Sequence, residues 1–139
     1  LTPQAILTQP DSTLRAVGFS RQKIGYARSL AGDLRLGKVD LDALDDMDDA
    51  HAIAELIKLK GIGRWSAEIY LLFALGRPDT FPVDDLALVI ATQRMKGLAE
   101  RPKRAELLEI AEAWRPHRGA AAHMLWHYYR VAGAGEAKD

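Results

Sequence analysis

Leu56-Ile57-Lys58-Leu59-Lys60-Gly61-Ile62-Gly63-Arg64-Trp65-Ser66-Ala67 decides the fold. It reads as two helices joined by a Gly-x-Gly turn, a hairpin over about 53–75, with an apolar residue between the glycines to anchor it. Before the turn, Ile53, Leu56 and Ile57 recur at helical spacing behind Asp48 or Asp49 as N-cap, and after it a helix runs from about Arg64 to Leu75 and stops at Gly76. Glycines allow positive φ and let another backbone approach closely. A helix N-terminus adds unpaired N–H groups and partial positive charge. Lys58, Lys60 and Arg64 flank the turn with positive charge, so Leu59, Lys60, Gly61, Ile62, Gly63 and Arg64 are candidates for holding a phosphate without reading bases. A plain αα-turn that binds nothing has the same outline, and the Gly-x-Gly alone leaves both readings open.

Outward from the hairpin the same helical spacing continues between Gly and Pro punctuation, and alternating β-branched runs are missing, so the expected class is all-α. Ser12 is expected to cap a short helix ending at Gly18, and Ser20 a longer one carrying Ile24, Ala27, Ala31 and Leu34 up to Gly37. Arg77-Pro78-Asp79-Thr80-Phe81-Pro82 must be a loop, because two prolines break helix. Asp84 is then expected to cap a helix of about 85–95, with further helices over 102–114 and 117–131. Pro102 and Pro116 suit first-turn positions. At 139 residues this is one expected domain, 1–132, followed by a frayed tail, 133–139.

With 48% hydrophobic and 27% charged residues the composition is that of a globular protein. The absence of Cys excludes a disulfide framework, a thiolate zinc site and a cysteine-ligated cluster in this chain, and is compatible with a reducing, cytoplasmic setting. The longest apolar run, Ile69-Tyr70-Leu71-Leu72-Phe73-Ala74-Leu75, falls far short of the roughly 20 residues a membrane helix needs, so no membrane partner is expected. Nineteen basic residues balance nineteen acidic ones, but unevenly. Six Lys/Arg face only Asp11 and Asp33 within 11–38, whereas 39–55 carries seven Asp/Glu and no Lys/Arg. Such a split can hold a polyanion on one side, or simply solvate helix faces. His117, His123 and His127 have no accompanying carboxylate motif, so no side-chain metal site is expected.

Twenty residues after Trp65 the proline-bounded loop delivers Phe81-Pro82-Val83-Asp84-Asp85-Leu86 to a helix start. Trp114-Arg115-Pro116-His117-Arg118 then leads into Leu125-Trp126-His127-Tyr128-Tyr129, and Leu14-Arg15-Ala16-Val17-Gly18-Phe19-Ser20-Arg21-Gln22-Lys23 stands upstream. In this order, with the hairpin, they resemble the helix-hairpin-helix (HhH-GPD) DNA glycosylase superfamily, most closely the 3-methyladenine DNA glycosylase II branch. The resemblance covers nearly the whole chain and implies that fold without the N-terminal helices of its relatives, which the rest of the polypeptide or another chain would supply.

It further implies base excision from double-stranded DNA carrying a damaged base, by hydrolysis of the N-glycosidic bond of alkylated purines. Family spacing puts the catalytic carboxylate on Asp85 rather than Asp84. Members that also cut the strand carry a Lys nucleophile where this chain has Trp65, and an indole cannot form a Schiff base, so a monofunctional enzyme is implied. Trp65, Ile69 and Trp126 are the implied base-pocket residues, and Ile69 replaces an aromatic found in some relatives. Phe19, Tyr128 and Tyr129 are further aromatic candidates. No organic cofactor is implied, only a Na or K ion bridging hairpin carbonyls to a DNA phosphate. A non-catalytic helix-hairpin-helix module that binds DNA through phosphates is the alternative, and an all-α interaction domain is a third reading.

Overall fold

A computed structural model describes residues 2–136, with side chains through 132. Among the described residues there are eight α-helices, one 3-10 helix and no strand, as an all-α chain requires. No helix among them is long and apolar enough to cross a membrane. The chain divides into two compact units between Gly63 and Arg64, within the stretch that reads from sequence as one hairpin in a single domain.

The first unit opens with α1 (Pro3–Thr8), an element absent from the expectations above. Its signal is nevertheless local: the Thr2 hydroxyl accepts from Ala5 N–H and Pro3 occupies the first turn. α2 (Asp11–Ala16) is capped by the backbone of Pro10 with no side-chain bond, so Ser12 lies inside the helix and does not cap it as expected. α3 (Arg21–Arg35) begins at Ser20, whose hydroxyl accepts from Lys23 N–H, and gives way before Gly37 at φ +65°. Arg28 on α3 ties the end of α1 down, donating to Leu7 O at 3.0 Å, Gln9 O at 2.7 Å and Asp11 Oδ1 at 2.7 Å. The acidic stretch folds as a 3-10 helix, Asp42–Asp46. α4 (Asp49–Leu56) follows, capped by Asp48, not Asp49. Leu14, Ile24, Ala31, Leu44, Ala52, Ile53, Leu56 and Leu59 are the buried apolar residues of this unit.

The second unit holds α5 (Arg64–Phe73), α6 (Leu86–Lys96), α7 (Arg104–Glu112) and α8 (Arg118–Glu136). Its core gathers Leu72 of α5, Phe81 and Val83 of the connecting loop, Leu88 and Ala91 of α6, Leu107 and Ala111 of α7, and Ala122 and Leu125 of α8. Thus the loop 77–85 is not a solvated connector: Thr80, Phe81, Pro82 and Val83 are buried, which fixes where the following acids emerge. Arg118 locks the loop from α8, with Nε donating to Asp79 Oδ1 at 2.8 Å and Nη2 to Oδ2 at 2.9 Å. Those bonds hold the Asp79 carboxyl below its usual range.

Three expectations in this unit are corrected. Asp85, not Asp84, caps α6. Pro102 and Pro116 stand before their helices instead of in the first turn, since α7 has Lys103 as its N-cap and α8 starts at Arg118. And α8 runs past Val131 to Glu136, into the segment expected to fray, while 137–139 lie outside the described residues.

Gly119 is the tightest junction between α8 and the loop. Its N–H donates to Pro78 O at 2.8 Å, and a Cβ there would stand 2.7 Å from both that oxygen and Leu72 Cδ1. Leu72 can rotate away, whereas the carbonyl belongs to the loop and cannot move without it. Gly119→Ala is therefore expected to destabilise the protein by about 1–3 kcal/mol, overriding the roughly 0.5–1 kcal/mol gained from Ala in a helix. A thermal melt decides it; an unchanged or raised Tm would contradict the clash.

Candidate active site

The turn 57–63 ends the first unit. Leu59 N–H donates to Leu56 O and Ile62 N–H to Leu59 O, both at 3.1 Å, so the chain reverses on consecutive short-range bonds with Leu59 buried beneath. Only one of the two glycines adopts positive φ. Gly61 sits at φ +88°, and a Cβ there would lie 2.5–2.7 Å from the ring atoms of Tyr26. Gly63 has neither constraint: its φ is outside the left-handed region and open space lies where a Cβ would point. Of the two roles expected of glycine here, positive φ falls to Gly61, and Gly63 has the open side that close approach of another backbone needs. Lys60 is exposed, and Lys58 is drawn to Glu55 at 2.6 Å.

α5 opens the second unit with Arg64 and Trp65. One turn later Glu68 is buried, 3% exposed, and its Oε1 accepts from Arg64 Nε at 2.8 Å. Burial pushes the Glu68 carboxyl up, Arg64 pulls it down, and nearby Asp84 and Arg104 add smaller opposed contributions.

Asp85 is the focus of the unit. Oδ1 caps α6 by accepting from Ala87 N–H at 2.9 Å and Leu88 N–H at 3.1 Å. The Trp65 indole Nε1–H donates to Oδ2 at 2.9 Å and the Trp126 indole Nε1–H to Oδ1 at 3.1 Å. Four N–H donors converge on one carboxyl group, whose two oxygens accept all of them. Oδ2 carries only one of the four and so keeps acceptor capacity. Asp85 lines an open cavity of about 400 Å³ together with Trp65, Asp84, Leu86, Ala87 and Tyr129.

Asp84 diverges from its neighbour. Arg104 Nη1 reaches its two oxygens at 2.8 and 2.9 Å, so Asp84 is occupied by a cation while Asp85 is held by N–H donors, although both line the cavity. Trp126 belongs to a cluster of three rings, with Phe73 at 5.6 Å between centroids, His123 at 5.8 Å in an edge-on arrangement, and those two rings 4.9 Å from each other. Tyr129 joins the cavity wall. Ile69 is half-buried and is not among the lining residues, Tyr128 packs against the core, and Phe19 lies in the first unit beside α1 and α3. Among the described residues no cluster of His, Asp or Glu suits a metal ion.

Sequence reasoning misses Glu68 and the indole bonds to Asp85. For Glu68 a signal exists, since it falls beside Ala67 and one turn before Leu71 and Leu72 on the buried stripe of α5. For the indole bonds there is none, because their partners lie 20 and 41 residues apart.

Residues 1–116 match the model of the HhH-GPD superfamily base excision DNA repair protein. The chain is 33% identical over 132 residues to DNA-3-methyladenine glycosylase 1 of Schizosaccharomyces pombe, covering 94% of this chain and 58% of that protein. Among solved structures, it is similar to the S. pombe 3-methyladenine DNA glycosylase in complex with abasic DNA, with a TM-score of 0.82 at 33% identity over 90% of this chain and 61% of that one. It is also similar to the Bacillus halodurans DNA-3-methyladenine glycosidase, with a TM-score of 0.80 at 30% identity over 92% and 59% of the two chains. The chain spans about half the length of the curated relatives it matches. It belongs to the HhH-GPD superfamily of base excision DNA repair proteins.

Proposed function

We propose that the protein is a monofunctional DNA glycosylase of the 3-methyladenine II type, hydrolysing the N-glycosidic bond of alkylated purines in duplex DNA. The observation that carries this reading is the Asp85 carboxylate, held by four N–H donors, with only one of them on Oδ2, in the wall of a cavity it shares with Trp65 and Tyr129. Phosphate binding alone needs no such acid. Rupture of the bond between C1′ and the base nitrogen sends the electron pair to the base and leaves positive charge on the deoxyribose. A fixed carboxylate stabilises that charge and accepts or directs the proton of the water that adds to C1′. An alkylated purine already carries positive charge, so it leaves without a strong general acid, and an indole face suits it.

Trp65 stands where strand-cutting members carry Lys, which supports hydrolysis without a lyase step. The exposed turn with Lys60 and the open side of Gly63 suits phosphate contact. A Na or K ion would be held by hairpin carbonyls; Leu59 O accepts one N–H and so keeps a lone pair. Work on chromosomal DNA would place the protein in the compartment that holds it, in a bacterium the cytoplasm and nucleoid.

The test is release of free methylated purine from an alkylated duplex, followed by strand analysis before and after alkali. Free base with a strand that breaks only after alkali supports the proposal. Immediate strand scission would reveal a lyase, and salt-dependent DNA binding without base release would favour the non-catalytic module. The two indole donors give a finer prediction. Trp65→Phe and Trp126→Phe each keep an aromatic ring but remove one bond to a charged acceptor, worth about 1.5–3 kcal/mol. Each is expected to slow single-turnover base release roughly 10–100-fold with little change in DNA affinity; full activity in both would mean the indole bonds do not hold the acid for reaction.

A further inference from the structure

The pair of Arg64 and Glu68 is poorly built for stability. Glu68 is buried, yet only Oε1 has a partner and Oε2 is both buried and unbonded. A buried polar oxygen without a partner is unfavourable, and replacing a buried ion pair by apolar side chains of similar volume is often neutral or stabilising. The order along the helix is also the less favourable one, because Arg64 puts a cation at the N-terminus of α5, the positive end of its dipole. Neighbouring charge offers no alternative partner, since Asp84 and Arg104 bond each other. What the pair does achieve is geometric. The Arg64 side chain is 56% exposed, Glu68 holds it by Nε, and neither Nη bonds another group among the described residues.

We propose that Glu68 is a positioning residue for DNA binding: its buried carboxylate pins Arg64 through Nε and so presents the two Nη groups as a preset fork for a backbone phosphate. A guanidinium held in this way matches two phosphate oxygens at once, and less side-chain freedom is lost when the phosphate arrives. The inference deepens the proposed function and rests on its assignment of duplex DNA as ligand.

The test follows the affinity for undamaged duplex DNA across a salt series, alongside base release at saturating DNA. Removing one phosphate interaction lowers the slope of log K against log salt by about 0.9. Arg64→Ala is expected to show one such decrement, Glu68→Met nearly as large a decrement with about 3–10-fold weaker binding at low salt, and the double variant no more than Arg64→Ala. Glu68→Gln keeps an acceptor for Nε and is expected to retain most of the slope. Single-turnover release at saturating DNA is followed for each variant, and a loss of release larger than the loss of affinity would overturn the inference by showing that the pair acts on the reaction and not on phosphate binding. Arg64→Lys keeps the charge but cannot be pinned by one donor while offering a fork, and is expected to bind at least about 3-fold weaker; that comparison stands even where Glu68→Met does not fold.

Wild-type slope in Glu68→Met would overturn the inference, as would additive losses in the double variant or full affinity in Arg64→Lys. Tighter binding by Glu68→Met would also overturn it, by showing a merely repulsive charge. If these fail while the wild type binds DNA and releases base, the positioning role alone is lost. A wild type that neither binds duplex DNA nor releases base overturns the proposed function as well.

Discussion

Asp85→Asn is expected to abolish base release to within detection, a loss of about 10²–10⁴-fold, while duplex DNA binding stays close to wild type and stability falls by no more than the one lost bond, about 1.5–3 kcal/mol. Asn is the informative replacement because Asp85 performs two tasks. Its Oδ1 caps α6, and Asn caps a helix about as well as Asp, whereas Ala at an N-cap costs about 1 kcal/mol. The amide oxygen can keep the Ala87 and Leu88 bonds. What it cannot supply is the negative charge that the developing positive charge on the sugar requires. The amide group would also meet the Trp65 indole with donor facing donor, in place of the 2.9 Å bond to Oδ2. Base release should therefore fall much further than in Trp65→Phe, which leaves the charge in place. A well-folded Asp85→Asn variant within about 3-fold of wild type would remove the acid from the reaction.

That acid is only partly legible in the amino-acid sequence. The spacing from Trp65 to the paired aspartates, with the resemblance it carries, singles out Asp85 as the candidate reacting group, but the same reading gives the capping role to Asp84. Local sequence cannot separate the two, since either Asp can reach the N–H groups of the next turn. The decision is made at long range: Arg104 takes Asp84, and two indoles from α5 and α8 take Asp85. Glycine and proline punctuation marks the α3, α5 and α6 boundaries well because those signals act within one turn. Burial of the loop 80–83 is not legible, because a proline-containing loop reads as surface until the core that receives Phe81 and Val83 exists. Glu68 is likewise hidden behind its charge, although helical phase places it beside Ala67 on the buried stripe.

Gly61→Ala is expected to be the most damaging single methyl addition in the first unit, about 2–4 kcal/mol, lowering Tm by roughly 10 °C. Two effects add. At φ +88° an L side chain is strained by about 1–2 kcal/mol. The methyl would also stand 2.5–2.7 Å from Cγ and both Cδ atoms of Tyr26, a ring that α3 holds by its own backbone and that Gln22 Nε2 bonds through the hydroxyl at 2.7 Å. A ring approached at its root cannot swing aside as the far end of a flexible chain could. Either the turn lifts off Tyr26, displacing the amides of Gly61 and Ile62, or α3 moves. In both cases duplex DNA affinity should fall, since phosphate contacts from a backbone turn depend on its shape. A double-mutant cycle separates the two effects. In a Tyr26→Ala background the steric part vanishes and only the φ strain remains, so Gly61→Ala should cost about 1–2 kcal/mol less there than in the wild type. Equal cost in both backgrounds would mean that Tyr26 does not press on the turn, and Gly61 would then be required for its backbone angle alone.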